Sequence, residues 1–355
     1  MSSCPRLLSV ATAVPAHPMQ QPDVQRRLSS VFRERAAEAE RYRPVFDNAG
    51  IRTRYSSVPL DWFEHTHSWS DRNPLYLDKA TDLLQEAAEG ALAAASLRAA
   101  DIDGIVCVST SGIATPSLDA LLMQRLDFRH ETFRLPIFGL GCAGGVLGLA
   151  RAARLARAAP DERILFLVVE PCALTFCRND SSKSNIVATA LFGDGAAAAV
   201  VSCRGEGPKI GAAGEHTWPD TLDVMGWGVE DDGLRVIFSA DIPLLIRERF
   251  RPVLDDYLRR QDLTIVDIDQ WLCHPGGAKV MDALEDAVER PRGALQHARS
   301  VLRDYGNMSA ATVMFVLARA LANGGVGRRA LLTALGPGFT AAFLMLEDGG
   351  AAAAG

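Results

Sequence analysis

Apolar positions along the chain fall into two kinds of run. Short runs rich in β-branched residues, LLSVATAV (7–14), GIVCVSTS (104–111), RILFLVVE (163–170) and ALLTALG (330–336), are nearly continuous rather than alternating. A strand that is apolar at almost every position has both faces covered. Between these runs lie alanine-rich stretches with helical spacing: ATDLLQEAAEGALAAA (80–95), VLGLARAARLARAA (146–159) and ATVMFVLARALAN (311–323). The alternation predicts an α/β fold with sheets covered by helices. Two further segments share one plan. ALFGDGAAAAVVS (190–202) and ALGPGFTAAFLMLE (334–347) each have an apolar lead, a Gly-x-Gly turn and an apolar strand. They read as the closing hairpins of two related halves, joined near residues 203–214 without a low-complexity linker.

Composition narrows the class. A chain of 355 residues with 48% hydrophobic and 23% charged residues is ordinary for a globular protein. No apolar run approaches the roughly 18 residues of a membrane span, and the N-terminus lacks a basic start and an apolar core. Both features predict a cytoplasmic protein without membrane insertion. Seven cysteines without C-x-x-C spacing read as reduced thiols, neither a disulfide frame nor a zinc site. The net charge of −6 argues against nucleic acid as partner. Eight arginines against four acids between Arg26 and Arg54 nonetheless make one basic segment. It is either a salt-bridged helical surface or a site for a small polyanion.

Three residues at the starts of helices carry candidate chemistry. In FGLGCAGGVLGLARAARLARA (138–158), Cys142 follows a strand and a glycine turn. A helix start stabilises an anion, so the thiol pKa is expected to fall from about 8.5 toward 7. A G-x-G-x-x-G spacing (Gly139, Gly141, Gly144) is present, but the acid of a dinucleotide site is not in place, and no phosphate-loop lysine follows. In QWLCHPGGAKVMDALEDAV (270–288), His274 ends a short strand before a sharp turn and a helix. In RDYGNMSAATVMFVLARAL (303–321), Asn307 precedes a helix whose first turn carries Ser309 and Thr312. Taken singly these are a buried thiol, a structural histidine and a capping residue. Together they supply an activated thiolate and two donors for a developing oxyanion.

The motifs GCAGG, ALFGDGAAA, HPGG, YGNMSAA and GPG, in this order and spacing, resemble the type III polyketide synthases, the chalcone synthase-like branch of the thiolase fold. The resemblance runs from about residue 5 to 347. It implies a layered αβαβα fold of two pseudo-duplicated halves, 1–205 and 206–355, and a homodimer. It also implies that Cys142 takes an acyl group from coenzyme A, and that His274 keeps this cysteine as a thiolate. His274 and Asn307 would stabilise the enolate formed as malonyl-CoA loses carbon dioxide. That enolate would extend the chain by Claisen condensation, without metal or cofactor, since the coenzyme A thioesters are substrates. Phe192 matches the gatekeeper between catalytic chamber and coenzyme A tunnel. Gly336, Pro337 and Gly338 match the loop near the acyl thioester, whose usual Gly-Phe-Gly-Pro-Gly reads ALGPG here. Thr110, Ser111, Thr115, Cys172, Thr175, Trp227, Val236 and Ser309 match cavity positions, and Arg41, Arg43 and Arg54 the region that meets coenzyme A phosphates. Cys172 and the MGW…DDGL segment resemble bacterial alkylpyrone and alkylresorcinol synthases, which implies a fatty acyl-CoA starter. The alternatives are a short or aromatic starter giving a phloroglucinol, naphthol or chalcone-type product, or a single condensation of the ketoacyl synthase III kind. Thr110 and Thr175 stand where naphthol-forming relatives have cysteines, which weighs against that product.

Overall fold

The continuous apolar runs fold as strands because helices cover them from both sides. The computed structural model describes residues 4–31, 42–180, 182–231 and 233–348. Its strands are β1 (Arg6–Ala13), β2 (His17–Gln20), β3 (Thr53–Ser56), β4 (Gly104–Val108), β5 (Phe133–Ile137), β6 (Arg163–Pro171), β7 (Asp194–Ser202), β8 (Lys209–Thr217), β9 (Met225–Glu230), β10 (Gly233–Phe238), β11 (Gln270–Cys273), β12 (Arg329–Gly336) and β13 (Thr340–Glu347). The helices that matter for the site are α1 (Gln21–Val31), α2 (Trp69–Ala94), α3 (Gly144–Ala158), α4 (Lys183–Leu191), α5 (Ala278–Ala287), α6 (Gln296–Tyr305) and α7 (Thr312–Ala322).

Nine strands follow the order β11–β12–β13–β8–β1–β7–β6–β4–β5. The halves meet where β1 touches β8 through one residue pair, Arg6 with Lys209. Outward from that junction the pattern repeats. β1–β7 and β7–β6 are antiparallel and β6–β4 is parallel. On the other side β8–β13 and β13–β12 are antiparallel and β12–β11 is parallel. The two halves are therefore the same fold, with β5 as an extra parallel edge strand on the first.

Alternate side chains of each strand enter different cores. Ile105, Cys107, Leu165, Leu167 and Val169 pack toward α2, while Val106, Val108, Ile164, Phe166 and Val168 pack toward α3. Each large apolar side chain so buried contributes about 1.5–3 kcal/mol. Helix α3 touches strands of both halves, as does α7, so these two form a central helical layer. The outer layers are α2 on one side and, on the other, the helix Arg251–Arg259, whose Tyr257 stacks on Phe343 at 5.0 Å. This is the αβαβα layering.

One expectation is corrected. The segment 334–347 is a hairpin, β12 to β13. The segment 190–202 is not: Gly193-Asp194-Gly195 carries the chain from α4 into β7. β6 and β7 do pair antiparallel, but residues 172–193 leave the sheet between them. That excursion carries Cys172, Thr175 and Phe192, so the first half gives up a tight turn to form the wall of a cavity.

Candidate active site

Cys142 occupies a single 3-10 turn, Gly141–Ala143, between β5 and α3. Gly141 has φ +46°, and a Cβ there would lie 2.6 Å from Pro337. A Cβ on Gly336 would lie 2.7 Å from Leu140 O. The GPG loop is thus seated directly on the turn that presents the thiol. His274 continues the strand pairing past β11, its N–H donating to Thr333 O at 2.8 Å. Asn307 lies between α6 and a second 3-10 turn, Ser309–Ala311. Its backbone is clamped to the segment that carries Phe192: its N–H donates to Leu191 O (2.8 Å) and its carbonyl accepts from Gly193 N–H (3.0 Å).

The three side chains line one cavity of about 390 Å³, together with Met225, Phe238 and Leu335. The Asn307 amide is oriented on both sides. Its oxygen accepts the Ser309 N–H at 2.8 Å, and its nitrogen donates to Gly276 O at 3.2 Å, with one N–H remaining. Ser309 holds φ +46°, an unfavourable conformation for a side-chain-bearing residue that is retained at functional sites. Its hydroxyl lies 3.7 Å from the Cys142 sulfur.

Burial dominates the electrostatics. It pushes the Cys142 thiol up to about 12, the Ser309 hydroxyl lowering it and the Glu170 charge adding to the rise. Burial likewise pulls the His274 imidazole down to about 3. Neither ring nitrogen of His274 has a partner among the described residues. Burial thus favours the neutral form of each group, and for Cys142 desolvation works against the anion-stabilising helix start.

Glu170 is a site residue that the sequence reading missed. Fully buried, it accepts from Ser111 Oγ (2.6 Å) and Thr110 N–H (3.1 Å). Thr110 Oγ1 in turn accepts from Gly141 N–H at 3.2 Å, so this chain of bonds ends at the nucleophile turn. Burial raises the Glu170 carboxyl to about 7. The signal was available: an acid ending a run that is otherwise apolar on both faces must have buried partners.

A larger cavity, about 660 Å³, does not include Cys142. Phe192, Cys172, Thr175 and Val236 line it, beside Met19 and Phe63. Phe192 belongs to this cavity while Asn307, bonded to the same segment, belongs to the smaller one, so Phe192 stands at the partition between them. Trp227 lies opposite Val236 in the β9–β10 hairpin and sets its ring 6.1 Å from that of Phe192. Thr115 is exposed, before the cis peptide to Pro116, and it, Thr110, Ser111, Trp227 and Ser309 line neither cavity of this chain, contrary to their expected place. Arg43 is exposed at the start of the short helix Arg43–Asp47. Arg41 lies outside the described residues. Arg54 departs most from expectation. It is 1% exposed, lines the larger cavity, and its Nη1 donates to Phe192 O at 3.2 Å, so it lies beneath that segment and not on the outer surface. Among the described residues no cluster of His, Cys, Asp or Glu could hold a metal ion, and no helix is long and apolar enough to cross a membrane.

Comparison with known proteins agrees with this geometry. The model for chalcone and stilbene synthases, N-terminal domain, matches residues 3–205, and that for their C-terminal domain matches residues 209–348. The chain is 40% identical over 96% of its length to 1,3,6,8-tetrahydroxynaphthalene synthase of Streptomyces peucetius, covering 92% of that protein. It is 30% identical over 96% of its length to 3,5-dihydroxyphenylacetyl-CoA synthase of Amycolatopsis balhimycina, covering 92% of it. The crystal structure of tetrahydroxynaphthalene synthase from Streptomyces coelicolor, a bacterial type III polyketide synthase, superposes with a TM-score of 0.92. The match has 29% identity and covers 98% of this chain and 100% of that one.

Proposed function

The chain belongs to the chalcone and stilbene synthase family and is a type III polyketide synthase, and from that premise we propose that Cys142, His274 and Asn307 carry its chemistry and that its product is a polyhydroxylated aromatic built from short, malonyl-type units. The convergence of the three side chains on one cavity carries the mechanism. In loading, the Cys142 sulfur attacks the thioester carbonyl of an acyl-CoA while its proton passes to His274. Coenzyme A leaves as the thiol, taking that proton. The neutral imidazole again has one N–H, the form that its low pKa favours. In extension, the carbon–carboxylate bond of malonyl-CoA breaks and carbon dioxide leaves. The electron pair becomes an enolate, whose oxygen receives the free Asn307 N–H and the His274 N–H. The enolate carbon then attacks the acyl thioester and Cys142 departs as thiolate. Fixed donors in a largely apolar cavity account for stabilisation of this charge.

For the product, the 40% identity to a tetrahydroxynaphthalene synthase supports a short starter, and so does Trp227, which occupies space against the gatekeeper. A second reading, a fatty acyl starter, is favoured by one observation: Met19, Val24, Leu60, Phe63 and Phe176 make the larger cavity apolar. Malonyl-CoA supplied alone, then with acyl-CoA starters of rising length, decides by product mass. Aromatic product from malonyl-CoA alone is expected. Alkylated products only, and none without a long starter, would sink the first reading.

We place a second copy of the chain at β5. This edge strand exposes Phe133 and Leu135, and Phe138 beyond it is 60% exposed. An apolar sheet edge left open invites edge-to-edge pairing. All seven cysteines are free, which suits the reducing cytoplasm.

A further inference from the structure

We infer that Arg54 is a positioning residue that holds the gatekeeper Phe192 and the Asn307 amide in a fixed mutual geometry. The inference rests on the roles given above to Phe192 and Asn307. Three observations carry it. First, Phe192 caps the C-terminus of α4, a helix with no cation in its last turn. Its carbonyl stands at the negative end of the helix, where a guanidinium both satisfies the oxygen and complements the dipole. Arg54 Nη1 makes that bond at 3.2 Å.

Second, Asp194, fully buried and two residues beyond Phe192, supplies an opposing charge that acts on the guanidinium through space rather than as an ion pair. The Asp194 carboxylate accepts the N–H of Ser57 (2.6 Å) and of Ala173 (2.7 Å). Asp194 thereby links the end of β3, the wall next to Cys172 and the gatekeeper segment. Burial lowers the Arg54 pKa only to about 10, so the charge persists at neutral pH.

Third, the two backbone segments that carry Phe192 and Asn307 close around the stem of Arg54. A Cβ on Gly193 or on Gly306 would come within 3.1 Å of Arg54 Cβ. Gly306, with φ +72°, also passes 2.9 Å from Leu191 O by the same measure. The segments are bonded to each other through Leu191, Gly193 and Asn307. Loss of the guanidinium frees the Phe192 carbonyl, and that disturbance reaches Asn307 through the shared backbone bonds.

The test compares Arg54→Met with the parent enzyme in three measurements: acylation of Cys142 by mass, malonyl-CoA decarboxylation, and the ratio of full-length to early-released products. Acylation is expected to fall less than decarboxylation, because Arg54 lines the larger cavity but bonds to the Phe192 carbonyl and not to the Cys142 turn. Decarboxylation kcat is expected to fall about ten-fold or more with KM for malonyl-CoA little changed, and the share of early-released products to rise. A folded variant with parental decarboxylation and product ratio overturns the inference. An equal fall in acylation and decarboxylation also overturns it, since that is general damage. If Arg54→Met does not fold, Arg54→Gln is judged by the same split. Asn307→Ala, run alongside, separates the two levels. Full decarboxylation there defeats the reading of the site itself, whereas its loss beside a normal Arg54 variant defeats only this inference.

Discussion

Cys142 and His274 are both driven toward their neutral forms by burial, and this has a measurable consequence. With the thiol near 12, the thiolate fraction rises ten-fold per pH unit across the neutral range. Alkylation of Cys142 by iodoacetamide in the free enzyme is therefore expected to climb steadily from about pH 6 to 9. A plateau in that range would show an imidazolium–thiolate pair instead. Glu170 makes a second prediction. Burial raises it from 4.5 to about 7, so the folded chain holds this proton more tightly than the unfolded one. The associated stability is complete below about pH 4.5 and is lost as pH rises through about 7, amounting to roughly 3 kcal/mol at most. Glu170→Gln keeps an acceptor for Ser111 and should gain stability relative to the parent between pH 4.5 and 8. Denaturation curves that stay parallel over that range would refute it.

Two elements meet at the site with little tolerance. The GPG loop between β12 and β13 rests on the Cys142 turn, where a methyl group on Gly336 has no room. Gly336→Ala is expected to cost about 1–3 kcal/mol of stability by overpacking. It should also lower acyl loading about ten-fold by displacing the thiol. Loading at the parental rate would show that the loop is not a support of the nucleophile. The β9–β10 hairpin pairs with no strand of the large sheet and sets Trp227 against Phe192 from outside it. Trp227→Gly should raise the kcat/KM of long acyl-CoA over short acyl-CoA at least ten-fold, the scale of a filled against an emptied pocket. An unchanged preference would place the length limit elsewhere in the cavity.

At the scale of the whole molecule, the repeated strand order puts α3 and α7 between the sheets, so the turns before them meet at the centre of the fold. Cys142 comes from the turn before α3, and Asn307 just precedes the turn before α7. A duplicated scaffold thus brings residues distant in sequence onto one cavity. The same order leaves β5 as an edge without a partner. With the second copy proposed at this edge, the parent is expected to sediment as a dimer and Leu135→Arg as a monomer, its fold kept because Leu135 is 37% exposed in the single chain. A variant that remains dimeric would move the interface away from this edge.

Elements and motifs were legible in the sequence because they are local. Continuous apolar runs require two covered faces, and GCAGG, HPGG and YGNMSAA each place a candidate residue, Cys142, His274 or Asn307, just before a helix. The three helical stretches 80–95, 146–159 and 311–323 each lie in a helix to within a few residues. Burial and pairing were decided by the tertiary structure alone. The basic segment 26–54 reads as one charged surface, yet Arg54 is buried beneath Phe192 while Arg43 is exposed. A chain position says nothing of which face a distant strand will cover. The sign of the Cys142 shift was decided in the same way: a helix start favours the thiolate, but the surrounding layers exclude water, and desolvation is the larger effect.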